Sequence, residues 1–307
     1  MRKKPEKNIN TIHRTPSERI MHICIHCILA IVSALCLFSF LIVLGSSFQT
    51  QEDILANGYR IIPKEFTLSA YKMIVSDTKV LLNSYFYTIL TTVVGTLLGL
   101  WICSTYAYVI SRKDYKFRKQ LTFLIFFTML FNGGMVANYI LISKWLHLQN
   151  NIWALILPLM VNAWNIFVMK SFFMSIPSSV IESAKIDGAS ELTIFVRMII
   201  PMSAPAFATV GLFITLAYWN DWWYSLLYMS DDRILKLQFL LMRVLRNMEF
   251  LNSEAALQLG IMQSGAAIPT LSARMAMCVI AAGPILIVFP FFQRFFVKGL
   301  TLGSIKE

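Results

Sequence analysis

Charge is scarce in this chain. Asp, Glu, Lys and Arg make up 14% of 307 residues, against 57% hydrophobic ones, and the mean hydropathy is +0.64. A soluble domain has too little polar cover for so much apolar surface, so the composition points to a bilayer as solvent. Acid is scarcer than base, 16 residues against 27, for a net charge of +11. A basic balance can mark nucleic-acid binding. Here no basic face interleaved with aromatics exists, and the cations gather at the ends of apolar runs, as the positive-inside rule predicts. The cysteines, Cys24, Cys27, Cys36, Cys103 and Cys278, all lie in or beside apolar segments. They read as buried small hydrophobes, not as a disulfide framework. Thirteen Gly and ten Pro are spread without any low-complexity run, and no repeat with a solenoid period is present.

Chemistry-bearing motifs are equally sparse. There is no Gly-Lys-Ser or Gly-Lys-Thr phosphate loop, so the chain is not expected to supply an ATP site. No Ser/His/Asp or Cys/His grouping shares a location, which argues against an enzyme. His22, His26 and Cys27 have metal-like spacing. Ligands from a second element are missing and the segment opens an apolar run, so no metal site is expected.

What the chain does have is long apolar runs. Six read as membrane-spanning helices, at about 23–44, 85–110, 121–142, 152–173, 204–228 and 275–297. The third is interrupted by Asn132-Gly133-Gly134. The segment before the first carries Arg2, Lys3, Lys4, Lys7, Arg14 and Arg19. With a run this long and no small-residue cleavage site, it reads as an uncleaved anchor with a cytoplasmic N-terminus. Six spans put both termini on one side. The inside segments then hold most of the Lys and Arg: the N-tail, the 112–119 loop, a loop around Glu182, and a tail with Arg294, Lys298 and Lys306. The outer segment 230–274 carries cations too, but the charge rule is weak for long loops.

The loop at 174–201 is polar and lies between two very apolar spans, so it needs a reason to be structured. It reads as two short helices joined by a tight turn. Ser179 and Glu182 fit a capping box. Gly188 sits where a left-handed residue would end the first helix. Ser190 can cap a second helix that stops before Pro201. The small Ser183, Ala184 and Ala189 would let another backbone approach.

The pattern Glu182-Ser183-Ala184-x3-Gly188-x9-Met198-x-Ile200-Pro201 resembles the EAA loop of binding-protein-dependent ABC importer permeases. The string Ile186-Asp187-Gly188-Ala189-Ser190 and the later Pro205 resemble the carbohydrate, maltose-permease-like branch. Leu82-Asn83-Ser84, Trp219-Asn220-Asp221-Trp222 and Phe296-Val297-Lys298-Gly299 resemble its complex-oligosaccharide subgroup. The resemblance covers about 80–299, and the departure in the motif's core is Ser183 in place of Ala. It implies an all-α integral membrane protein with the type I ABC importer permease fold. Segment 1–79 would hold the N-tail, first span and outer loop, 80–298 the permease core, and 299–307 a cytoplasmic tail. It also implies a coupling role for Glu182, Ser183, Ala184, Asp187, Gly188 and Pro201, docked on an ABC ATPase dimer. That partner would bind the ATP and Mg, with no cofactor in this chain. Further implied partners are a second homologous permease subunit, an extracytoplasmic solute-binding protein, a carbohydrate substrate and membrane lipid, with no nucleic acid.

Two polar clusters within spans are candidates for the translocation path. Adjacent glycines in Asn132, Gly133, Gly134 and the nearby Asn138 either break the third span beside water or let helices pack closely. Trp219, Asn220, Asp221 and Trp222 either meet sugar faces and hydroxyls or form an interfacial aromatic belt. By resemblance, an outer-loop tip at Ser264, Gly265 and Ala266 is a candidate binding-protein contact. The rival readings are a secondary transporter and a non-transporting scaffold subunit. The first would need ionisable residues in several spans, and Asp221 alone qualifies.

Overall fold

The computed structural model describes residues 16–75, 78–231, 233–251, 253 and 270–303. The proposed tip residues Ser264, Gly265 and Ala266 lie outside them. Among the described residues every regular element is helical. The first, α1 (Pro16–Ser46), presents apolar side chains such as Ile28, Leu29, Leu35 and Phe38 outward along its length. An apolar helix exposed over most of its length, and buried only toward its end near Ser46, is suited to hydrocarbon. Short helices α2 (Gln51–Asn57) and α3 (Ser69–Ile74) follow.

At the centre stands α4 (Thr78–Ser111). Its buried stripe is small and hydroxylated: Ser84, Thr88, Thr91, Thr92, Gly95, Gly99, Cys103 and Ser104. Small residues let neighbouring backbones approach in the absence of a hydrophobic drive between helices. A methyl group at Gly95 would fall 2.3 Å from the Tyr218 ring. Three of the hydroxyls bond to carbonyls one turn back, Thr88 to Ser84 at 2.7 Å, Thr91 to Tyr87 at 2.8 Å and Ser104 to Trp101 at 3.1 Å; those of Ser84 and Thr92 have no partner among the described residues.

Around α4 the later spans are broken. Helices α5 (Arg118–Leu130) and α6 (Gly134–Ile140), the latter extended by a π-turn to Trp145, meet at 111°. The break falls at Asn132-Gly133-Gly134. Gly134 takes φ +79°, and its N–H donates to Asn132 Oδ1 at 2.9 Å. Helices α7 (Trp153–Met160) and α8 (Ala163–Met174) meet at 48°. The sequence reading made this fourth span continuous. It is interrupted because Val161 and Asn162 are extended, and Asn162 then caps α8 by accepting from the Trp164 and Asn165 amides.

The loop carries α9 (Ser178–Ile186) and α10 (Glu191–Ile194), then a π-turn over Phe195–Ile199 and α11 (Ile200–Met202). Segment 191–202 meets α12 (Ala204–Trp219) at 83°. The second loop helix therefore passes through Pro201, contrary to expectation. The wider π-turn brings Pro201 to the first turn of a new helical segment, where its missing N–H removes no bond. The fifth span is also shorter than expected. It ends at Trp219, and α13 (Trp223–Tyr228) starts again after a break at Asn220–Trp222. Helix α14 (Leu237–Leu251) and the long α15 (Thr270–Gly303) are the last described elements. Of the cysteines only Cys103 is buried; Cys24, Cys27, Cys36 and Cys278 face outward, on helix faces suited to lipid rather than a protein core.

Candidate functional site: a rigid loop beside a central helix

The loop's first helix starts just after Pro177, and no side chain caps it. The capping box is thus absent: Ser179 is already inside the helix and cannot act as its N-cap. The Glu182 carboxylate makes no hydrogen bond or ion pair among the described residues, and it projects from an exposed position. What ends α9 is a Schellman motif. Gly188 takes φ +77°, its N–H donates to the Lys185 carbonyl at 3.0 Å, and the Ala189 N–H donates to the Ala184 carbonyl at 2.9 Å. The next helix is capped by Ser190, whose Oγ accepts from the Thr193 N–H at 3.2 Å. Two fixed ends make a stiff turn between them.

Ala184 is buried in the core shared by α4, α8, α10 and α12. Ser183, Asp187 and Glu182 point outward. So does Ile186, which is 86% exposed, joined by exposed Leu192 and Val196. In water, an isoleucine so bare has a hydration cost that a partner surface would relieve. Sequence reasoning named Ile186 only within the family string and gave it no coupling role; its signal was one large apolar residue inside a polar run.

A charge network fixes the loop to α4. Tyr108 donates to Glu191 Oε2 at 2.6 Å. Lys185 Nζ lies 2.9 Å from Glu191 Oε1 and 3.0 Å from Asp114 Oδ2. Arg112 grips Asp114 with two nitrogens, at 2.8 and 3.1 Å. The hydrogen bonds from Lys185 and Arg112 hold the Asp114 carboxyl well down, at about 2. Partial burial pushes Glu191 up, but the bonds from Tyr108 and Lys185 outweigh it and leave its carboxyl lowered. These carboxylates are about half exposed, so each pair contributes little stability by itself. Their effect is positional: they tie α9, α10 and the end of α4 to one another. Lys185 and Glu191 fall in the motif's unspecified gaps, and their partners Tyr108, Arg112 and Asp114 lie some seventy or more residues earlier, which is why spacing alone did not reveal them. A cleft of about 620 Å³ runs along this face, lined by Glu182, Lys185, Arg112, Asp114, Phe173 and Pro177.

The expected path residues divide. Asn132, Gly133, Gly134 and Asn138 all lie on an exposed face at the break of the third span. Asn220 is exposed and Trp222 half-buried. Trp219 and Asp221 are enclosed by the chain's own elements. Trp219 Nε1 donates to the Ala281 carbonyl at 3.0 Å. Asp221 Oδ2 lies 3.0 Å from Lys236 Nζ, which also donates to the Tyr218 carbonyl at 2.5 Å. The break in the fourth span opens a different crevice, of about 520 Å³, lined by Asn162, Trp164, Asn165, Phe213, Ala217 and Tyr224. Sequence reading did not select Asn162 or Asn165, although two asparagines after Pro158 in an apolar run were a signal.

Bent apolar spans packed on a small-residue helix, with one stiff loop held at its end, define a membrane transport component. The chain belongs to the family of binding-protein-dependent transport system inner membrane components, matched over residues 95–302. It is 39% identical over 288 residues to the polygalacturonan/rhamnogalacturonan transport system permease protein YtcP of Bacillus subtilis (strain 168), covering 94% of this chain and 99% of YtcP. It is 40% identical over 298 residues to protein LplC of the same organism, covering 97% and 99%. Among solved structures it resembles a bacterial ABC transporter involved in the import of the acidic polysaccharide alginate. There the TM-score is 0.76 and the identity 28%, over 92% of this chain and 99% of the other. This chain is therefore a multi-pass inner-membrane permease subunit and not an enzyme. It works with an ATPase, which is a separate subunit, and with a substrate-binding protein.

Proposed function

We propose that this permease imports a carbohydrate, an oligosaccharide, and that the Glu182–Gly188 loop is where the ATPase engages it. The carrying observation is Ile186: 86% exposed, set near Glu182, which has no partner among the described residues, on a loop clamped to α4. Glu182 would meet a cation of the ATPase, Ile186 would fill an apolar cleft there, and Ser183 and the Gly188 turn would allow close approach. Closure of the ATPase dimer, which binds the ATP and Mg, would move α9, α10 and α4 together. The chain has six spans with cytoplasmic termini and pairs with a second, homologous permease; no cofactor binds within it. Sugar passes along the shared interface, with the crevice at Asn162, Trp164, Asn165 and Tyr224 as this subunit's contribution. Aromatic faces and amide groups are the chemistry that recognises sugar rings and hydroxyls. The cargo class is supported by the names of YtcP and of the alginate transporter.

The test is co-purification of an ATPase with the tagged chain, scored together with oligosaccharide uptake. Ile186→Asp, Glu182→Lys and Gly188→Asp are expected to insert in the membrane but lose the ATPase or lose uptake. Wild-type ATPase capture and uptake by all of them would defeat the coupling reading.

A further inference from the structure

We infer that the cytoplasmic end of α5 holds an anionic phospholipid. A cleft of about 890 Å³ opens beside the 113–119 loop and is lined by five cations, Lys113, Lys116, Arg118, Lys119 and Lys170. Among the described residues lining it, the one carboxylate is Asp114, already engaged by Arg112 and Lys185. The cleft therefore carries a large uncompensated positive charge.

Two of the cations are fixed rather than trailing in solvent. Arg118 donates through Nε to the Ile110 carbonyl at 3.0 Å, which orients its guanidinium and leaves it without a carboxylate among the described residues. Lys170 lies four residues inside the end of α8, about 6 Å along the helix. Its Nζ is 3.5 Å from Thr122 Oγ1 and 5.6 Å from the Phe167 ring centre, so it is anchored on neutral groups. An ammonium at this depth, with no carboxylate beside it among the described residues, is costly in a membrane unless an anion meets it. The first turn of α5, a 13-residue helix, faces the same loop with no side-chain cap, and its dipole favours negative charge there.

The occupant is amphiphilic because the cleft is. From its charged mouth it continues onto Phe123 and Phe126, both lining it and both exposed. A soluble phosphate has no use for phenylalanines, whereas a phospholipid sets its head on the cations and its acyl chain along the rings. Basic pockets between spanning helices on the cytoplasmic side suit anionic headgroups. The inference rests on reading the 112–119 loop as cytoplasmic.

The test uses the full chain, purified in detergent with its co-purifying subunits and stripped of lipid. Retention of added phosphatidylglycerol and phosphatidylcholine is counted by native mass spectrometry. Phosphatidylglycerol is expected to be held at least about tenfold better. Each surface lysine is worth about fivefold on an anionic lipid, so Lys116→Gln/Lys119→Gln should cut phosphatidylglycerol retention about twentyfold and leave phosphatidylcholine unchanged. Lys170→Arg should retain it. Should the double variant fail to insert, Lys119→Gln alone carries the test with about a fivefold loss. Equal retention of both lipids by the wild type, or wild-type retention by the Lys→Gln variants, overturns the site. So does stabilisation of the stripped protein by millimolar inorganic phosphate equal to that by phosphatidylglycerol. ATPase co-purification is scored on the same samples, so a lipid held without the ATPase would sink the coupling proposal and leave this one standing.

Discussion

The Asp221–Lys236 pair separates a structural role for Asp221 from a role in the path. Lys236 has no exposed surface and Asp221 is 8% exposed. Their contact is 3.0 Å, and Asp221 Oδ1 also accepts from the Tyr224 N–H at 3.1 Å. In Lys236→Met the carboxylate stays buried with one neutral donor. Breaking a buried pair from one side costs about 3–5 kcal/mol. In Asp221→Asn/Lys236→Met both charges are gone, and removing a whole pair is often close to neutral; a loss under about 2 kcal/mol is expected. At about 2 °C per kcal/mol for a chain of this size, the single variant should melt at least about 6 °C lower and the double less than about 4 °C lower. The assay is intrinsic tryptophan fluorescence on heating the purified chain in detergent, with Asp221→Asn alone completing the cycle. Strictly additive shifts across the cycle would refute the coupling. A wild-type melting midpoint for Asp221→Asn together with a raised KM for uptake would place Asp221 in the sugar path instead.

Gly188→Ala puts a side chain at φ +77° and should cost about 1–2 kcal/mol. Faster hydrogen exchange confined to 186–190 is the expected readout, and unchanged exchange there would contradict it. Gly95→Val must displace the Tyr218 ring, whose atoms would lie 2.3 Å from the new Cβ. A loss of about 1–3 kcal/mol is expected by the same melting assay. Lys185→Ala removes the ion that joins Asp114 to Glu191, so uptake should fall more than ATPase capture; parallel losses would argue against a transmitting role. The network should also be flat across the physiological pH range. Because the folded-state pKa of Asp114 is depressed to about 2, its contribution is present above the ordinary carboxylate value near 4 and fades as pH falls toward 2. Lys185, raised by its bonds to Glu191 and Asp114, keeps its charge to a higher pH than an ordinary lysine. Loop exchange, corrected for intrinsic rate, should not change between about pH 5 and 9. A transition inside that window would mean another group controls the loop.

Sequence by itself determined the solvent, the helical class and the loop. Apolar runs of about twenty residues have few physical alternatives, and a positive-φ glycine at a helix end is a local requirement that Gly188 meets with no help from distant residues. The break at Asn132-Gly133-Gly134 was legible for the same reason. Only the tertiary structure decided where charge and polarity went. Asp221 reads as a free acid in a span until Lys236, 15 residues on, is seen to bury against it. Glu182 reads as a helix cap until α9 is seen to begin at Ser178 with no side-chain cap, which leaves its carboxylate pointing outward. Asn162 reads as an accident in an apolar run until its capping of α8 opens the crevice. Lys236 stands at no fixed spacing from Asp221, Glu182 finds no partner among the described residues, and Asn162 can cap only where Val161 and Asn162 turn extended; a polar group's role depends on what the packing and backbone supply around it.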